Sequence, residues 1–294
     1  MRCACIDIGS NTTRLLVADV TPHGLRKVEE RRIFTHLRRA LDADGRLAPD
    51  TIAALVSVID DQLRVARALG AERVRAVATA AIRRAVNAAD LVSALADSCH
   101  VALRVLGEPE EARFAFIGAA AALRELAREP EPGAPLGVID VGGGSSEVVI
   151  GTPPDVVAWS TSLPLGSGDL SDACVHEDPP SDAEVAAVQR RIEGTLAALE
   201  IPRPARAVAV GGSAASLQRL AGAPLDGERF AAALALLQSA SAGTLASQFG
   251  LDVERVRLLC AGVLILRALH DRLGVALELV GGGLREGVIL ELGR

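Results

Sequence analysis

The nine residues Ile6-Asp7-Ile8-Gly9-Ser10-Asn11-Thr12-Thr13-Arg14 return as Ile139-Asp140-Val141-Gly142-Gly143-Gly144-Ser145-Ser146-Glu147. A repeat displaced by nearly half the chain constrains the fold more than any other feature of this sequence. Each copy is an apolar run ending in Asp, a small polar turn, and a second β-rich run, at residues 15–20 and 148–150. That is the pattern of two antiparallel strands joined by a tight turn. A dinucleotide-binding fold would place a helix directly after the glycines. A second pair supports the register. Arg75-Ala76-Val77-Ala78 leads into a helix carrying Arg83, and Arg206-Ala207-Val208-Ala209 leads through Gly211-Gly212-Ser213 into another, at a displacement of 131 by this alignment.

Helical stretches with recognisable ends lie between the strands. Residues 50–69 have apolar side chains at helical spacing and stop at Gly70; Ser181-Asp182-Ala183-Glu184 is a capping box opening a helix to about Leu199; residues 253–273 stop at Gly274. Strands alternating with helices indicate α/β layers. The proline-rich stretch 129–135, with Gly133, reads as the connection between halves. The expectation is two related α/β domains with a cleft between them, into which both Asp-Gly turns point.

Length agrees, since 294 residues suggest two domains, and 50% hydrophobic content is enough for a core in each. With 31 basic against 37 acidic residues, the net charge of −6 argues against a protein that coats nucleic acid or an anionic membrane. No run of about 18 apolar residues interrupts the chain, and Arg2 and Asp7 come too early for a signal-peptide core, which points to a soluble cytoplasmic protein. The five cysteines (Cys3, Cys5, Cys99, Cys174, Cys260) are scattered without a CxxC pair, and the five histidines are isolated, so neither a zinc site nor a Cys-His catalytic pair is expected.

An Asp-ended strand followed by glycines exposes successive backbone N–H groups, a concavity suited to phosphate oxygens. Asp7 and Asp140 at the strand ends could hold Mg2+ directly or through water. A single Asp-Gly turn is more often just a turn; two in matched halves, joined by Gly211-Gly212-Ser213, favour function. The segment Leu106-Gly107-Glu108-Pro109-Glu110-Glu111-Ala112-Arg113 opens a long helix, and acidic residues there ordinarily complement the helix dipole. By itself it carries no catalytic claim.

Six segments together resemble the exopolyphosphatase and guanosine pentaphosphate phosphohydrolase (Ppx/GppA) family. They are residues 7–14, Ala78-Thr79-Ala80-Ala81-Ile82-Arg83 with Asn87, residues 107–113, residues 140–147, Val210-Gly211-Gly212-Ser213, and Gly283-Leu284-Arg285-Glu286-Gly287. The resemblance runs in order from Cys5 to the C-terminus and is to the short form, without the HD-type helical domain of long relatives. It implies an α/β fold of two related actin-like domains (the actin, sugar-kinase and chaperone-ATPase superfamily, ribonuclease H-like) with an interdomain cleft. Domain I would span 1–128, with a C-terminal helix at about 284–294 packing back on it, and domain II 129–283.

Carried over by motif, the resemblance makes Glu111 the catalytic base that orients or deprotonates the attacking water. It places Asp140 and Glu147 around Mg2+ and that water, beside Asp7, which its position at a strand end already offers to the metal. Arg83 would contact phosphate; Gly9, Ser10 and Asn11, and Gly142, Gly143, Gly144 and Ser145, would donate hydrogen bonds, with Arg14 a further phosphate contact. Gly211, Gly212 and Ser213 resemble the second-domain phosphate loop, and Arg285 and Glu286 are expected to be structural. Departures from the family pattern are Ala80 in place of serine, the milder Thr12 and Ser146, Asp169 where relatives are often basic, and His36-Leu37-Arg38-Arg39-Ala40 in place of a glycine-bearing stretch.

The function implied is Mg2+-dependent exopolyphosphatase activity, releasing orthophosphate from the end of inorganic polyphosphate. Three alternatives stand beside it: removal of the 5′ γ-phosphate from guanosine pentaphosphate, a non-hydrolytic sensor of polyphosphate or guanosine tetraphosphate, and a sugar or acetate kinase, which lacks an acceptor motif. The implied partners are polyphosphate or guanosine pentaphosphate as substrate, guanosine tetraphosphate as a regulator, and a second copy in a homodimer.

Overall fold

The computed structural model describes residues 1–294. It divides into two compact units, Met1–Ala127 with Gly283–Arg294, and Arg128–Gly282.

In the first unit the chain runs β1 (Arg2–Ile8), β2 (Thr12–Thr21), β3 (Gly24–Phe34), α1 (Leu37–Ala40), α2 (Pro49–Ala68), β4 (Arg73–Ala78), α3 (Ala80–Arg84), α4 (Ala88–Cys99), β5 (Leu103–Val105) and α5 (Glu108–Glu125). The sheet order is β3-β2-β1-β4-β5. The first three strands are antiparallel neighbours and β4 and β5 join in parallel, so β1 is central. A central strand covered on both faces needs apolar side chains on both, and Cys3, Ala4, Cys5 and Ile6 are all inaccessible. One face packs Ala4, Ile6 and Ile8 against Ile59 and Leu63 of α2 and Leu91 and Leu95 of α4. On the other, Cys3, Cys5 and Leu16 meet Phe114 of α5.

The second unit runs β6 (Leu136–Val141), β7 (Ser146–Thr152), β8 (Val156–Leu163), α6 (Ser167–Cys174), α7 (Asp182–Leu196), β9 (Arg206–Val210), α8 (Gly211–Ala221), α9 (Gly227–Ser239), α10 (Ala242–Phe249), α11 (Val253–Arg257), α12 (Leu259–Leu273) and β10 (Leu277–Leu279). Its sheet order, β10-β9-β6-β7-β8, is that of the first unit read from the other edge. Ten of the fifteen residues of α12 are buried, which makes it the central helix of this core. The final helix, α13 (Leu284–Leu292), belongs to the first unit, where Val288 and Ile289 complete the face that holds Cys5 and Phe114. It lies close to α5: a Cβ on Gly118 would meet the Gly283 carbonyl oxygen at 2.1 Å, and one on Gly287 that of Phe114 at 2.1 Å. Two mixed five-stranded sheets with a shared strand order bear out the α/β reading with two related domains.

The register refines the repeat. Cys3 pairs with Arg73 and Leu136 with Arg206, so β4 and β9 are related by the same displacement of 133 as the hairpins, and the displacement of 131 is two residues off. A shift of two keeps every side chain on its own face, which is why the sequence alignment tolerates it. The helix expected over 253–273 is interrupted at Leu258. The Leu258 N–H reaches back only three residues to the Arg255 carbonyl (3.2 Å), and α12 restarts with Gly262 bonding to the Leu258 carbonyl (3.1 Å). The α7 helix closes three residues early by the same tightening, Leu199 N–H to Leu196 O at 3.0 Å. No helix is long and apolar enough to cross a membrane.

Candidate functional site

The two hairpin turns are built alike. Gly9 N–H donates to the Thr12 carbonyl at 3.0 Å and Gly142 N–H to that of Ser145 at 2.9 Å. Gly9 and Gly142 therefore close the turns, and the donors available for a phosphate come from Ser10 and Asn11 in one unit and Gly143, Gly144 and Ser145 in the other. The second turn is anchored from behind by α6. Ser167 N–H donates to the Gly142 carbonyl at 2.9 Å, and the N–H groups of Gly168 and Asp169 both reach the Gly143 carbonyl at 3.0 Å. A Cβ on Gly166 would lie 2.2 Å from that same carbonyl oxygen, so the anchor requires glycine. Asp169 thus serves the turn through its backbone.

Beside the turns the halves diverge. Asp7 stands opposite Arg14 in the β1–β2 pair, and Asp140 opposite Glu147 in the β6–β7 pair. Opposite charges across a strand pair stabilise it, whereas like charges destabilise it unless something intervenes. The first unit sets two arginines near its own aspartate: burial raises the Asp7 carboxyl, and Arg285 and Arg14 offset only part of that rise. Both arginines donate to Glu30 Oε1 of β3 at 2.8 Å, so Arg14 is directed toward Glu30, and the nearly buried Arg285 ties α13 to the sheet. The Glu286 carboxylate accepts the Gly283 N–H at 3.0 Å at the start of α13.

In the second unit Glu147 is 5% exposed, and its Oε1 accepts a hydrogen bond from Ser162 of β8 at 2.8 Å. Gly211 opens α8 at φ 86°, a left-handed conformation suited to glycine, and a Cβ there would lie 2.3 Å from Asp140 Oδ1. The glycine thus brings the N-terminus of an eleven-residue helix against the Asp140 carboxylate. Gly212 packs against the Arg255 guanidinium, and Ser213 is buried.

Glu111 and Arg83 come together in the first unit. Glu111 is 3% exposed at the start of α5, and Arg83 of α3 donates through Nη1 both to Glu111 Oε1 and to the Leu106 carbonyl (2.9 Å). Glu110 instead reaches back to the Gly107 N–H at 3.1 Å and pairs with Arg104. The neighbouring glutamates therefore divide into a helix cap and a buried carboxylate gripped by an arginine. Ala80 is buried at the start of α3 and offers no hydroxyl. Sequence reasoning missed Ser162, Glu30 and the Leu106 carbonyl, whose roles arise from register and long-range packing.

No three His, Cys, Asp or Glu side chains gather into an all-protein metal cage. Mg2+ needs none, because it commonly takes one or two carboxylates and completes its octahedron with water and substrate phosphate. Asp140 and Glu147, two like charges on adjacent strands, fit that mode. In the first unit Asp7 Oδ1 is a buried acceptor without a hydrogen-bond partner.

The profile of the Ppx/GppA phosphatase family matches residues 16–293. Exopolyphosphatase 2 of Mycobacterium tuberculosis is 36% identical over 233 residues, covering 75% of this chain and 70% of its own. Guanosine-5'-triphosphate,3'-diphosphate pyrophosphatase of Aeromonas hydrophila is 27% identical over 310 residues, covering 98% of this chain and 59% of its own. The crystal structure of the Aquifex aeolicus Ppx/GppA family member superposes with a TM-score of 0.83 at 28% identity, covering 100% of this chain and 97% of that one. The paired hairpins and the sequence likeness thus have one source: the chain belongs to the Ppx/GppA phosphatase family, a family of phosphoanhydride hydrolases.

Proposed function

We propose that this protein is an exopolyphosphatase that hydrolyses the terminal phosphoanhydride of linear inorganic polyphosphate with the help of Mg2+. The observation that carries the reading is the buried Glu111 carboxylate gripped by Arg83. A carboxylate locked in one position suits the task of aligning a water for in-line attack, and phosphoryl transfer needs positioning and charge neutralisation more than a covalent nucleophile. Glu111 orients the water and accepts its proton. Arg83 contacts phosphate, and the N–H groups of Ser10, Asn11 and residues 143–145 bind phosphate oxygens.

Asp140 and Glu147 would hold the cation. Bound there, Mg2+ would supply charge neutralisation at the phosphate oxygens. The start of α8 at Gly211, Gly212 and Ser213 adds the positive end of a helix. Polyphosphate is preferred over guanosine pentaphosphate as substrate because the relative named for polyphosphate is the more similar, 36% against 27% identical.

Phosphate release from short polyphosphate, long polyphosphate, guanosine pentaphosphate and ATP, each with and without Mg2+, tests the reading. Mg2+-dependent release from polyphosphate supports it. Release confined to guanosine pentaphosphate reassigns the substrate, and binding without release of any phosphate makes the protein a sensor.

A further inference from the structure

Asn11 carries an unusual unmet demand. Its side chain is 7% exposed, and Nδ2 is buried with no hydrogen-bond partner. A buried amide donor left unpaired is costly, and such groups ordinarily find a partner in a ligand or an ordered water. The other end of the amide is fully engaged: Oδ1 lies 3.1 Å from His36 Nδ1 and 3.2 Å from Arg38 Nη1. Arginine can only donate. The atom facing it must therefore be the amide oxygen, and the opposite orientation would set donor against donor. His36 then carries its proton on Nδ1.

The two donors sit on a segment tied firmly to the turn. The N–H groups of Thr35 and His36 both donate to the Asn11 carbonyl at 3.0 Å, and that of Arg38 to the Ser10 carbonyl at 2.9 Å. His36 occupies a left-handed conformation (φ 48°, ψ 35°), and its ring stacks on Phe34 at 5.7 Å between centroids and 18° between planes, with the Arg32 guanidinium 5.1 Å from that same phenyl ring. A non-glycine residue held at positive φ by three backbone hydrogen bonds and a ring stack is over-determined by its surroundings.

We propose that His36, together with Arg38, is a positioning residue that locks the Asn11 amide so that its Nδ2–H group is presented to a phosphate oxygen of the substrate. The inference rests on the reading of the turn as a phosphate site. His36 acts through Asn11 alone and touches no reacting atom.

Calorimetric binding of inorganic tripolyphosphate without Mg2+, together with KM and kcat for its hydrolysis with Mg2+, tests this in the full chain. His36→Phe keeps the ring stack and removes the donor. It should weaken binding about three- to tenfold with kcat within about twofold. His36→Asn, whose Nδ2 stands where the imidazole Nδ1 stood and which tolerates positive φ, should restore most of that affinity. In an Asn11→Ala background, His36→Phe should add less than about 1.5-fold, because coupled residues are non-additive. An undiminished effect in that background would overturn the proposal, since it would mean His36 acts independently of Asn11.

Should His36→Phe fail to fold, as thermal melting would show, Asn11→Asp decides. It keeps the size and turns the presented donor into an acceptor, so an unchanged tripolyphosphate affinity would refute the role of Nδ2. If the wild type binds tripolyphosphate but releases no phosphate, the hydrolase reading fails and the binding cycle still judges Asn11. A wild type that does not bind tripolyphosphate refutes the positioning role itself.

Discussion

Arg83 donates through a single guanidinium nitrogen to the Glu111 carboxylate and to the Leu106 carbonyl, so the arginine and the candidate base are one mechanical unit. A residue serving only as a phosphate contact would alter KM and leave kcat nearly intact. Because Arg83 also holds Glu111, Arg83→Ala is expected to lower kcat at saturation at least about tenfold in addition to raising KM, and Arg83→Lys to recover kcat better than KM, since one ammonium can serve the two acceptors of Nη1 but brings no second nitrogen to the phosphate. Glu111→Gln should lower kcat at least about 100-fold while KM stays within several-fold. Steady-state kinetics on tripolyphosphate separates the cases: a wild-type kcat in Arg83→Ala would show that the ion pair has no part in the chemical step.

The opposition of Asp140 and Glu147 across β6 and β7 predicts two effects of opposite sign. Either Asp140→Asn or Glu147→Gln should raise the Mg2+ concentration for half-maximal activity, because each removes charge from the cation's surroundings. The same substitutions, by removing like-charge repulsion, should raise the melting temperature in metal-free buffer with chelator. Unchanged Mg2+ titrations in both variants would place the cation elsewhere.

Glu30 links β3 to α13 through Arg285 and predicts a pH dependence of stability. Burial alone would push the Glu30 carboxyl up, yet Arg285, Lys27 and Arg14 hold it well below the usual glutamate value of 4.5. A depressed carboxyl contributes stability that is fully present above its unfolded-state value and is lost as pH falls toward the folded one. Glu30→Gln should therefore destabilise the protein by about 2 kcal/mol at pH 7, a typical loss for charge-assisted hydrogen bonds that are partly open to solvent. The difference from wild type should shrink as pH drops below about 4.5. Urea denaturation at pH 7, 5 and 3 checks it, and a gap that stays constant with pH would assign the loss to packing.

What could be read from the sequence follows the range of each interaction. The hairpins with their Asp-Gly turns are local, and a two-fold alternation leaves little freedom in pairing, so the opposition of Asp140 and Glu147 was within reach of the repeat itself. The parallel pairing of β4 and β9 with the hairpins is not local, and a slip of two residues preserves every buried face, so the residue pattern alone leaves it open. Residues 253–273 carry unbroken helical periodicity, and the tightening at Leu258 leaves no mark in that pattern. Arg285 and Glu30 meet from opposite ends of the chain, and Ser162 reaches Glu147 only because β8 pairs with β7 in one register. Arg83 and Glu111 were both candidates, but their pairing depends on how β4 and β5 bring α3 and α5 together.

Gly211 gives the sharpest test of whether Asp140 and the start of α8 form one device. Its φ of 86° lies where an L side chain is strained, and an added methyl would come within 2.3 Å of Asp140 Oδ1. Gly211→Ala should therefore cost about 1–3 kcal/mol of stability from the backbone conformation and the displaced carboxylate. It should also raise the Mg2+ requirement several-fold, since the methyl drives Asp140 from its place opposite Glu147. Gly227, which also heads a helix, has open space beside it and an ordinary backbone, so Gly227→Ala is the matched control and should change neither quantity appreciably. Denaturant unfolding and Mg2+ titration on the same preparations read both consequences. Loss of stability with an unaltered Mg2+ dependence would show that the Asp140 carboxylate is displaced without consequence for the cation, and would leave Glu147 to hold it alone.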